Sequence, residues 1–269
     1  MIGITTYIAR RLLLVIPVIL GVLIVVFSAL HLVPGDPVAM LLPPDVAGSA
    51  ATEMMEQLRH EMGLDRPLPI QFWDYLTDLT QGDLGRSIQT DRPIATDLRQ
   101  RLPATLQLGF LALIISTTLG LLAGVLSAVR QNSWADHGVM FAALFGISIP
   151  NFWFGILLML VFALTLGWLP VSGLGGPFWT WDGFRHLILP ALTLGTASAA
   201  VMARMTRSSM LDVLSQEFIR TARAKGLREQ VVVYRHALRN ALIPVITIMG
   251  LQFGELLGGS VVVETVFAY

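Results

Sequence analysis

Few of the 269 residues carry side chains that could do chemistry, and these few are widely spaced. Cysteine is absent, which excludes thiol nucleophiles, disulfides and thiolate metal sites. The five histidines stand at positions 31, 60, 137, 186 and 236, and no two of them have the spacing of metal ligands. The sequence has no phosphate-binding Gly-x-x-x-x-Gly-Lys-Ser/Thr loop, no His-Glu-x-x-His motif and no Gly-x-Ser-x-Gly elbow. We therefore predict no catalytic residue and no metal site in this chain.

The composition is typical of an integral membrane protein. Apolar residues make up 54% of the chain, charged residues only 13%, and the mean hydropathy is +0.69. Eighteen basic residues cancel eighteen acidic ones, which argues against a nucleic-acid partner. Glu255 is the only carboxylate within any long apolar stretch, and it could serve a proton relay, act as a hydrogen-bonded gate or lie near the outer interface. So little charge in the bundle suggests transport that is powered by a separate subunit.

Five stretches are long and apolar enough to predict membrane spans, since a helix needs about 20 apolar residues to cross the hydrocarbon. The third, of 31 residues, is too long for one upright helix, and Pro150 predicts a kink or a tilted helix. The fourth is rich in small residues, which predicts that other helices enclose it. The five stretches are Leu12–Leu30, Leu102–Val129, Gly138–Trp168, Leu187–Ala203 and Asn240–Val263.

The basic residues predict the orientation of these spans, because short cytoplasmic connections carry an excess of Arg and Lys. Arg10 and Arg11 precede the first span, and eight basic residues lie in the stretch 204–240. The loop 169–186 has only one basic residue, Arg185. We therefore expect a cytoplasmic amino terminus, an external segment over 31–103 and an external carboxyl terminus. On this topology the external segment has a net charge of −5 and the stretch 204–240 has a net charge of +5.

The external segment reads as a small cap. The pattern predicts one helix from Thr52, as a candidate N-cap, to Met62, and a second helix over Ile70–Leu79. Gly82–Ser87 reads as a loop. Nothing in this segment indicates an independent catalytic domain.

The cytoplasmic stretch reads as a helix, a glycine turn and a second helix. We predict the first helix over Leu211–Lys225, with its apolar stripe at Leu211, Leu214, Phe218 and Ala222, followed by a stop at Gly226. Glu229 opens the next helix. By spacing alone, two interpretations remain open: a basic amphipathic anchor on anionic lipid, or a docking element for a cytosolic partner.

The residues of this stretch carry a family resemblance. Glu217–Leu227, followed by His236–Pro244, resembles the coupling loop of binding-protein-dependent ABC importer permeases, in the version of the B-type subunits of the dipeptide, oligopeptide and nickel branch. The similarity covers essentially the whole chain in the right order. Four further stretches carry it: Pro34–Pro37, Gly82–Gly85, Ser148–Trp153 and Arg204–Leu211.

The chain departs from the superfamily pattern in a way that the peptide branch shares. The general motif has Glu-Ala-Ala, three residues and then Gly. Here Arg220, Thr221 and Ala222 stand in the place of the acid and the two alanines, and Gly226 matches the glycine. Arg239 occupies the place of a later proline.

The resemblance implies an all-α, polytopic membrane protein, the transmembrane subunit of a type I ABC importer. It divides the chain into 1–103, the first span with the external segment, and 104–269, the permease core with the coupling loop at about 204–240. Chains of this family continue after Glu264–Phe267 into a sixth span, so five spans of an expected six are visible. Because the sequence stops at Tyr269, we expect it to be a truncated one.

The resemblance also implies the function and the partners. The chain would form half of a pathway for di- or oligopeptides in a bacterial-type inner membrane, beside a homologous permease subunit and membrane lipid. It would itself be non-catalytic and bind no cofactor, because two cytosolic ATPase subunits would bind ATP and Mg. An extracytoplasmic binding protein would deliver the substrate. Nickel or a nickel chelate is the alternative cargo, and a proton-coupled secondary carrier or a scaffold without transport is an alternative of another class.

The resemblance assigns roles to particular residues. Gly226 would permit a reversal that a Cβ would crowd, and Arg220, Arg223 and Lys225 would donate charged hydrogen bonds to the ATPase. Candidates for the translocation pathway are Asn151 and Glu255. The residues of the ATPase-coupling loop would be Arg220, Thr221, Ala222, Arg223, Lys225, Gly226, Leu227 and Arg239.

Overall fold

A computed structural model describes residues 4–32, 38, 42, 48–87, 90 and 92–269. Within these residues the chain is helical, without a β-strand and with one isolated bridge between Arg86 and Pro93. The chain divides into two compact units, Met1–Leu98 and Arg99–Tyr269. The Pro34–Pro37 motif of the sequence analysis lies outside the described residues.

Among its described residues, the first unit contains three complete helices. They are α1 (Ile4–Leu32), α2 (Ser49–Glu61) and α3 (Leu68–Thr80). The first predicted span lies within α1. The prediction of Thr52 as the N-cap of α2 was wrong, because the helix begins one turn earlier and the Thr52 hydroxyl donates back to the Gly48 carbonyl at 3.3 Å.

Aromatic side chains hold the carboxyl-terminal end of α1 against α3. The ring of Phe27 lies 5.2 Å from that of Phe72 and 6.3 Å from that of Tyr75, measured between centroids. Nε2 of His31 lies 3.2 Å from Oε1 of Gln71. In the loop that follows α3, the Asp83 carboxylate accepts a 2.8 Å hydrogen bond from the Gly85 N–H. Two helices, α2 and α3, thus occupy the regions in which the sequence predicts two helices.

The second unit is a bundle of long helices. Among the described residues of both units, four helical stretches are long and apolar enough to cross a membrane: Thr5–Leu32, Ile94–Val129, Trp181–Leu214 and Glu229–Phe267. The count rises to five if the bent pair Trp134–Ser148 and Asn151–Thr165 forms one span. This agrees with the five predicted spans. The elements are α4 (Ile94–Val129), α5 (Trp134–Ser148), α6 (Asn151–Leu158) with a π-helical extension (Met159–Thr165), α7 (Trp181–Leu214), α8 (Glu217–Ala224), α9 (Glu229–Val231), a π-helical segment (Val232–Ala237) and α10 (Leu238–Phe267).

The third span is broken into two helices. α5 and α6 meet at Ile149 and Pro150 and are bent by 103°. Pro150 lacks an N–H and disfavours helical geometry in the residue before it, and Ile149 is accordingly extended, with φ −85° and ψ 127°. The sequence predicts a kink or a tilted helix here, whereas the structure has two separate helices.

Helix α7 occupies the centre of the second unit. Glycines of α4 let that helix approach α7 closely, as helix packing in lipid requires. A Cβ on Gly120 would lie 2.4 Å from Cβ of Met202, and one on Gly124 would lie 2.5 Å from Cβ of Thr206. More than half of the apolar window of α7 is buried, whereas none of that of α1 is. The prediction that the fourth span is enclosed is thus confirmed.

Candidate functional site

The sequence forms a short amphipathic helix, α8, at the cytoplasmic end assigned by the resemblance. Glu217 stands in the first turn and Arg223 in the last, as the helix dipole favours. Ile219 and Ala222 are buried, whereas Arg220 and its neighbours in the loop are exposed. The helix therefore turns one apolar face inward and one cationic face outward.

The predicted continuous helix over Leu211–Lys225 was wrong. α7 ends at Leu214 and α8 begins at Glu217, so the helical period restarts between them. As a consequence Phe218, predicted as part of the apolar stripe, is 40% exposed, and Ile219 is buried in its place. Such a break is hard to find in the sequence, because the apolar residues on both sides of it keep nearly helical spacing.

A Schellman motif ends α8. The N–H of Gly226 donates to the Arg223 carbonyl at 2.9 Å, and that of Leu227 donates to the Ala222 carbonyl at 3.4 Å. Gly226 has φ +75°, a left-handed conformation that costs glycine nothing. The prediction of a helix, a glycine turn and a second helix is confirmed.

The expectation that a Cβ at position 226 would crowd the turn was wrong. Among the described residues, and apart from its two chain neighbours, no atom lies within 4 Å of a Cβ placed on Gly226, so the glycine is not required by crowding. The positive φ requires the glycine, and the space around it is open. A larger side chain here would project outward from the turn.

An ion pair spans the glycine turn. Nη2 of Arg223 donates to Oε1 of Glu229 at 2.7 Å, and Nε donates to Oε2 at 3.2 Å. The Glu229 carboxylate raises the pKa of Arg223 further above its ordinary value, so this guanidinium stays charged. Arg220 donates to Glu217 at 2.9 Å. Both pairs are exposed enough to contribute little to stability but to hold the two guanidinium groups in place.

The remaining cations of the predicted coupling loop have no such partner. Lys225 and Arg239 are exposed and form no ion pair within the described part of the chain. Lys225 adjoins the glycine turn, and Arg239 lies in the first turn of α10. Of the four cations assigned to the coupling loop, three therefore lie on α8 and its turn, and Arg239 belongs to another element.

The inner face of α8 belongs to one apolar cluster, which we call the coupling core. It draws residues from α4, α7, α8, the π-helical segment and α10, so the inner face of α8 shares one apolar core with the ends of three long helices. Its buried members are Val125, Ala128, Met210, Val213, Ile219, Ala222, Val232, Val233, Ala237 and Ala241.

The two pathway candidates lie apart from the coupling loop. Asn151 is exposed as the first residue of α6, directly after the break at Pro150. Glu255 is exposed on α10, next to the buried Leu256. In the described residues Glu255 makes no hydrogen bond, and no group of three or more His, Asp or Glu side chains could hold a metal ion.

Two buried polar features escaped the sequence analysis. The amide of Gln252 on α10 is 5% exposed and donates to the Ser198 carbonyl of α7 at 2.9 Å. The carboxylate of Asp136, which is 3% exposed, pairs with Arg207. A signal for Asp136 was present, because Ser133 followed three residues later by an acid is a helix-start pattern, and Ser133 is indeed the N-cap of α5.

Comparison with known proteins identifies the family. Residues 116–269 match the family described as "Binding-protein-dependent transport system inner membrane component", and residues 4–109 match its amino-terminal counterpart. The dipeptide transport system permease protein DppB of Alkalihalophilus pseudofirmus is 44% identical, over 98% of this chain and 84% of that protein. The glutathione transport system permease protein GsiC of Pectobacterium atrosepticum is 49% identical, over 97% of this chain and 82% of that protein.

A more distant likeness was found among solved structures. A chain from "Crystal structure of an amino acid ABC transporter with histidines" aligns with a TM-score of 0.45 and 17% identity, over 60% of this chain and 68% of that one. The family matches together take in most of the sequence, including all of the coupling loop. The chain belongs to the family of inner-membrane components of binding-protein-dependent transport systems.

Proposed function

We propose that this chain is the permease subunit of an ATP-driven importer of short peptides and that it transmits the action of cytosolic ATPases to the spanning helices. The observation that carries the proposal is α8, a cationic outer face with a buried inner face on the coupling core. Arg220, Thr221, Arg223, Lys225, Gly226 and Leu227 form the surface that the ATPase contacts, and Ala222 anchors it. Arg239 extends the contact from α10.

The partners follow from the same proposal. A homologous permease completes the pathway, two cytosolic ATPase subunits bind ATP and Mg, and an extracytoplasmic binding protein delivers the substrate to the external segment. This chain hydrolyses no ATP itself. Its amino terminus lies in the cytoplasm, in agreement with Arg10 and Arg11 before α1.

The relatives support the choice of cargo. DppB is named for dipeptides and GsiC for glutathione, which is itself a short peptide. We therefore assign di- and tripeptides as the substrate class. Nickel or a nickel chelate remains the alternative within the family.

The test is reconstitution of the full complex in vesicles, with ATP supplied to the ATPase side. We expect ATP-dependent uptake of labelled dipeptides or glutathione that requires the binding protein. If the vesicles took up nickel or a nickel chelate but no peptide, the assigned substrate class would change from peptides to nickel. Uptake that a proton gradient drives without the ATPase subunits would instead establish a secondary carrier.

A second measurement separates partner docking from lipid anchoring by the basic segment. We expect the complex to hold its ATPase subunits equally well in neutral and in anionic lipid. Exchange of Arg220 and Lys225 for Gln would then release the ATPases in both lipids. If the double exchange released the ATPase subunits only in anionic lipid, the result would favour a basic segment that anchors to lipid.

Glu255→Gln is expected to change the selectivity of uptake for substrates with cationic groups. If the Glu255 carboxylate lines the pathway, its loss should lower uptake of a lysine-containing dipeptide relative to a neutral one by up to about fivefold, the range of a water-exposed charge contact. The neutral dipeptide serves as the control in the same vesicles. An unchanged ratio of the two uptake rates would remove Glu255 from the pathway.

A further inference from the structure

A buried carboxylate joins three helices close to the coupling core. Asp136 accepts four hydrogen bonds, from the Ser127 hydroxyl, from the Asn132 N–H at 2.9 Å and from Nε and Nη2 of Arg207, both at 2.7 Å. Ser127 belongs to α4, Asp136 to α5 and Arg207 to α7. We call Ser127, Asp136 and Arg207 the clamp.

The clamp lies in the same part of the bundle as the apolar contacts under α8. Ser127 stands between Val125 and Ala128 of the coupling core, and Arg207 stands one turn before Met210, another core member. One turn earlier in α4, Gly124 brings this helix into close approach with Thr206 of α7. We call the carboxyl-terminal end of α7, over 207–214, the root of the coupling segment, and the turn 130–133 with the adjoining ends of α4 and α5 the α4–α5 corner. The clamp joins these two parts of the bundle.

The chemistry of the clamp differs from that of the coupling core. Apolar contacts are non-directional, so α8 and its neighbours could slide over one another without losing burial. A bidentate Arg–carboxylate pair fixes both distance and angle. Well-packed apolar residues can replace a buried ion pair without loss of stability, so stability alone does not explain why this pair is charged. A need to fix the register of α5 against α7 does explain it.

We propose that Ser127, Asp136 and Arg207 are positioning residues that make the α4–α5 corner move as one body with the root of the coupling segment. This inference rests on the proposed function, since it assigns the route by which motion of α8 reaches α5, a helix that contributes no described residue to the coupling core. Without the clamp, ATP-driven motion of α8 would move α7 and α4 while leaving α5 behind. Hydrolysis would then continue with little transport.

The first test compares variants in the reconstituted complex. Arg207→Met leaves the Asp136 charge buried and unpaired, and we expect a severe loss of assembled complex. The double variant Asp136→Leu/Arg207→Met removes both charges, so we expect it to assemble but to transport about tenfold less substrate for each ATP hydrolysed, because the charged bonds are gone. Arg204→Gln, at an exposed position one turn away, is the control for assembly.

The second test measures the motion itself and needs no clamp variant. Because the chain has no cysteine, spin labels can be placed at Gln131→Cys on the corner and at Ser208→Cys on α7, both exposed. We expect one narrow distance distribution between the labels, identical in the nucleotide-free and ATP-bound complexes. A distance that changes with nucleotide overturns the proposal, as does a double variant with unchanged transport for each ATP.

The outcomes distinguish the two levels of inference. If the unmodified complex shows ATP-dependent uptake and the double variant keeps its full coupling ratio, only the clamp is overturned. If the unmodified complex shows no ATP-dependent uptake, the proposed function fails and the clamp role fails with it.

Discussion

Gly226→Asp is expected to uncouple uptake from ATP hydrolysis while leaving the subunit folded and inserted. The turn holds residue 226 at φ +75°, which costs an L-residue about 1–2 kcal/mol, and Asp tolerates this conformation better than most residues. No atom of the described residues, apart from the two chain neighbours, lies within 4 Å of the added Cβ. The new side chain therefore projects into the space where the ATPase would dock, and it carries a negative charge beside Arg223 and Lys225. We expect uptake to fall by at least about tenfold, the effect of one lost charged contact.

The measurement is uptake and ATPase activity of the full complex in vesicles, with the amount of inserted subunit determined alongside. Gly226→Asn is the matched control, because Asn has nearly the same shape, tolerates positive φ and carries no charge. Loss of coupling in both variants would assign the effect to shape, and loss in the Asp variant alone would assign it to charge. Normal uptake by Gly226→Asp would contradict a docking role for this turn.

Gly124→Val is expected to destabilise the permease core strongly. A Cβ at residue 124 would lie 2.5 Å from Cβ of Thr206 and 2.7 Å from the Ala203 carbonyl oxygen, and a backbone carbonyl cannot turn away as a flexible side chain can. α4 and α7 would have to separate along the seam that small residues keep closed. Overpacking of this kind costs about 1–3 kcal/mol or more, and valine adds two further methyl groups.

The check is the thermal unfolding midpoint of the purified complex, together with the yield of inserted subunit. Gly138→Val is the control for a β-branched residue in a helix, because a Cβ at Gly138 of α5 would meet nothing within 4 Å. We expect Gly124→Ala to fall between the two, since it adds the Cβ alone. Equal unfolding midpoints for Gly124→Val and Gly138→Val would show that the seam can open without cost.

The spans could be predicted because a charge in hydrocarbon is expensive, so charge-free stretches mark the membrane reliably. Their ends could not, because a helix continues beyond the hydrocarbon wherever its residues allow. The span predicted at Leu187–Ala203 is the middle of a helix that runs over Trp181–Leu214. The same limit hid Asp136, which was left just outside the third predicted span although it belongs to the helix that starts at Trp134.

In the coupling loop, too, features that depend on local sequence could be predicted, and features that depend on distant residues could not. The end of the helix at Gly226 follows from local backbone preferences, and in the structure α8 does end just before this glycine. The restart between Leu214 and Glu217 depends on which face of α8 meets the coupling core, and that choice is made by residues on three other helices. The pairing of Asp136 with Arg207 joins residues 71 positions apart, so no local pattern predicts it.

The π-helical segment Val232–Ala237 sets the rotational phase between the coupling turn and α10. Val232 and Ala237 are five residues apart and both fully buried, whereas in an α-helix they would point in directions about 140° apart. The wider turns bring both onto one face, and Ala241 and Val245 continue that face into α10. Because one residue corresponds to about 100° of α-helix, a single deletion between Glu229 and Leu238 would rotate all of α10, including Glu255, about its own axis.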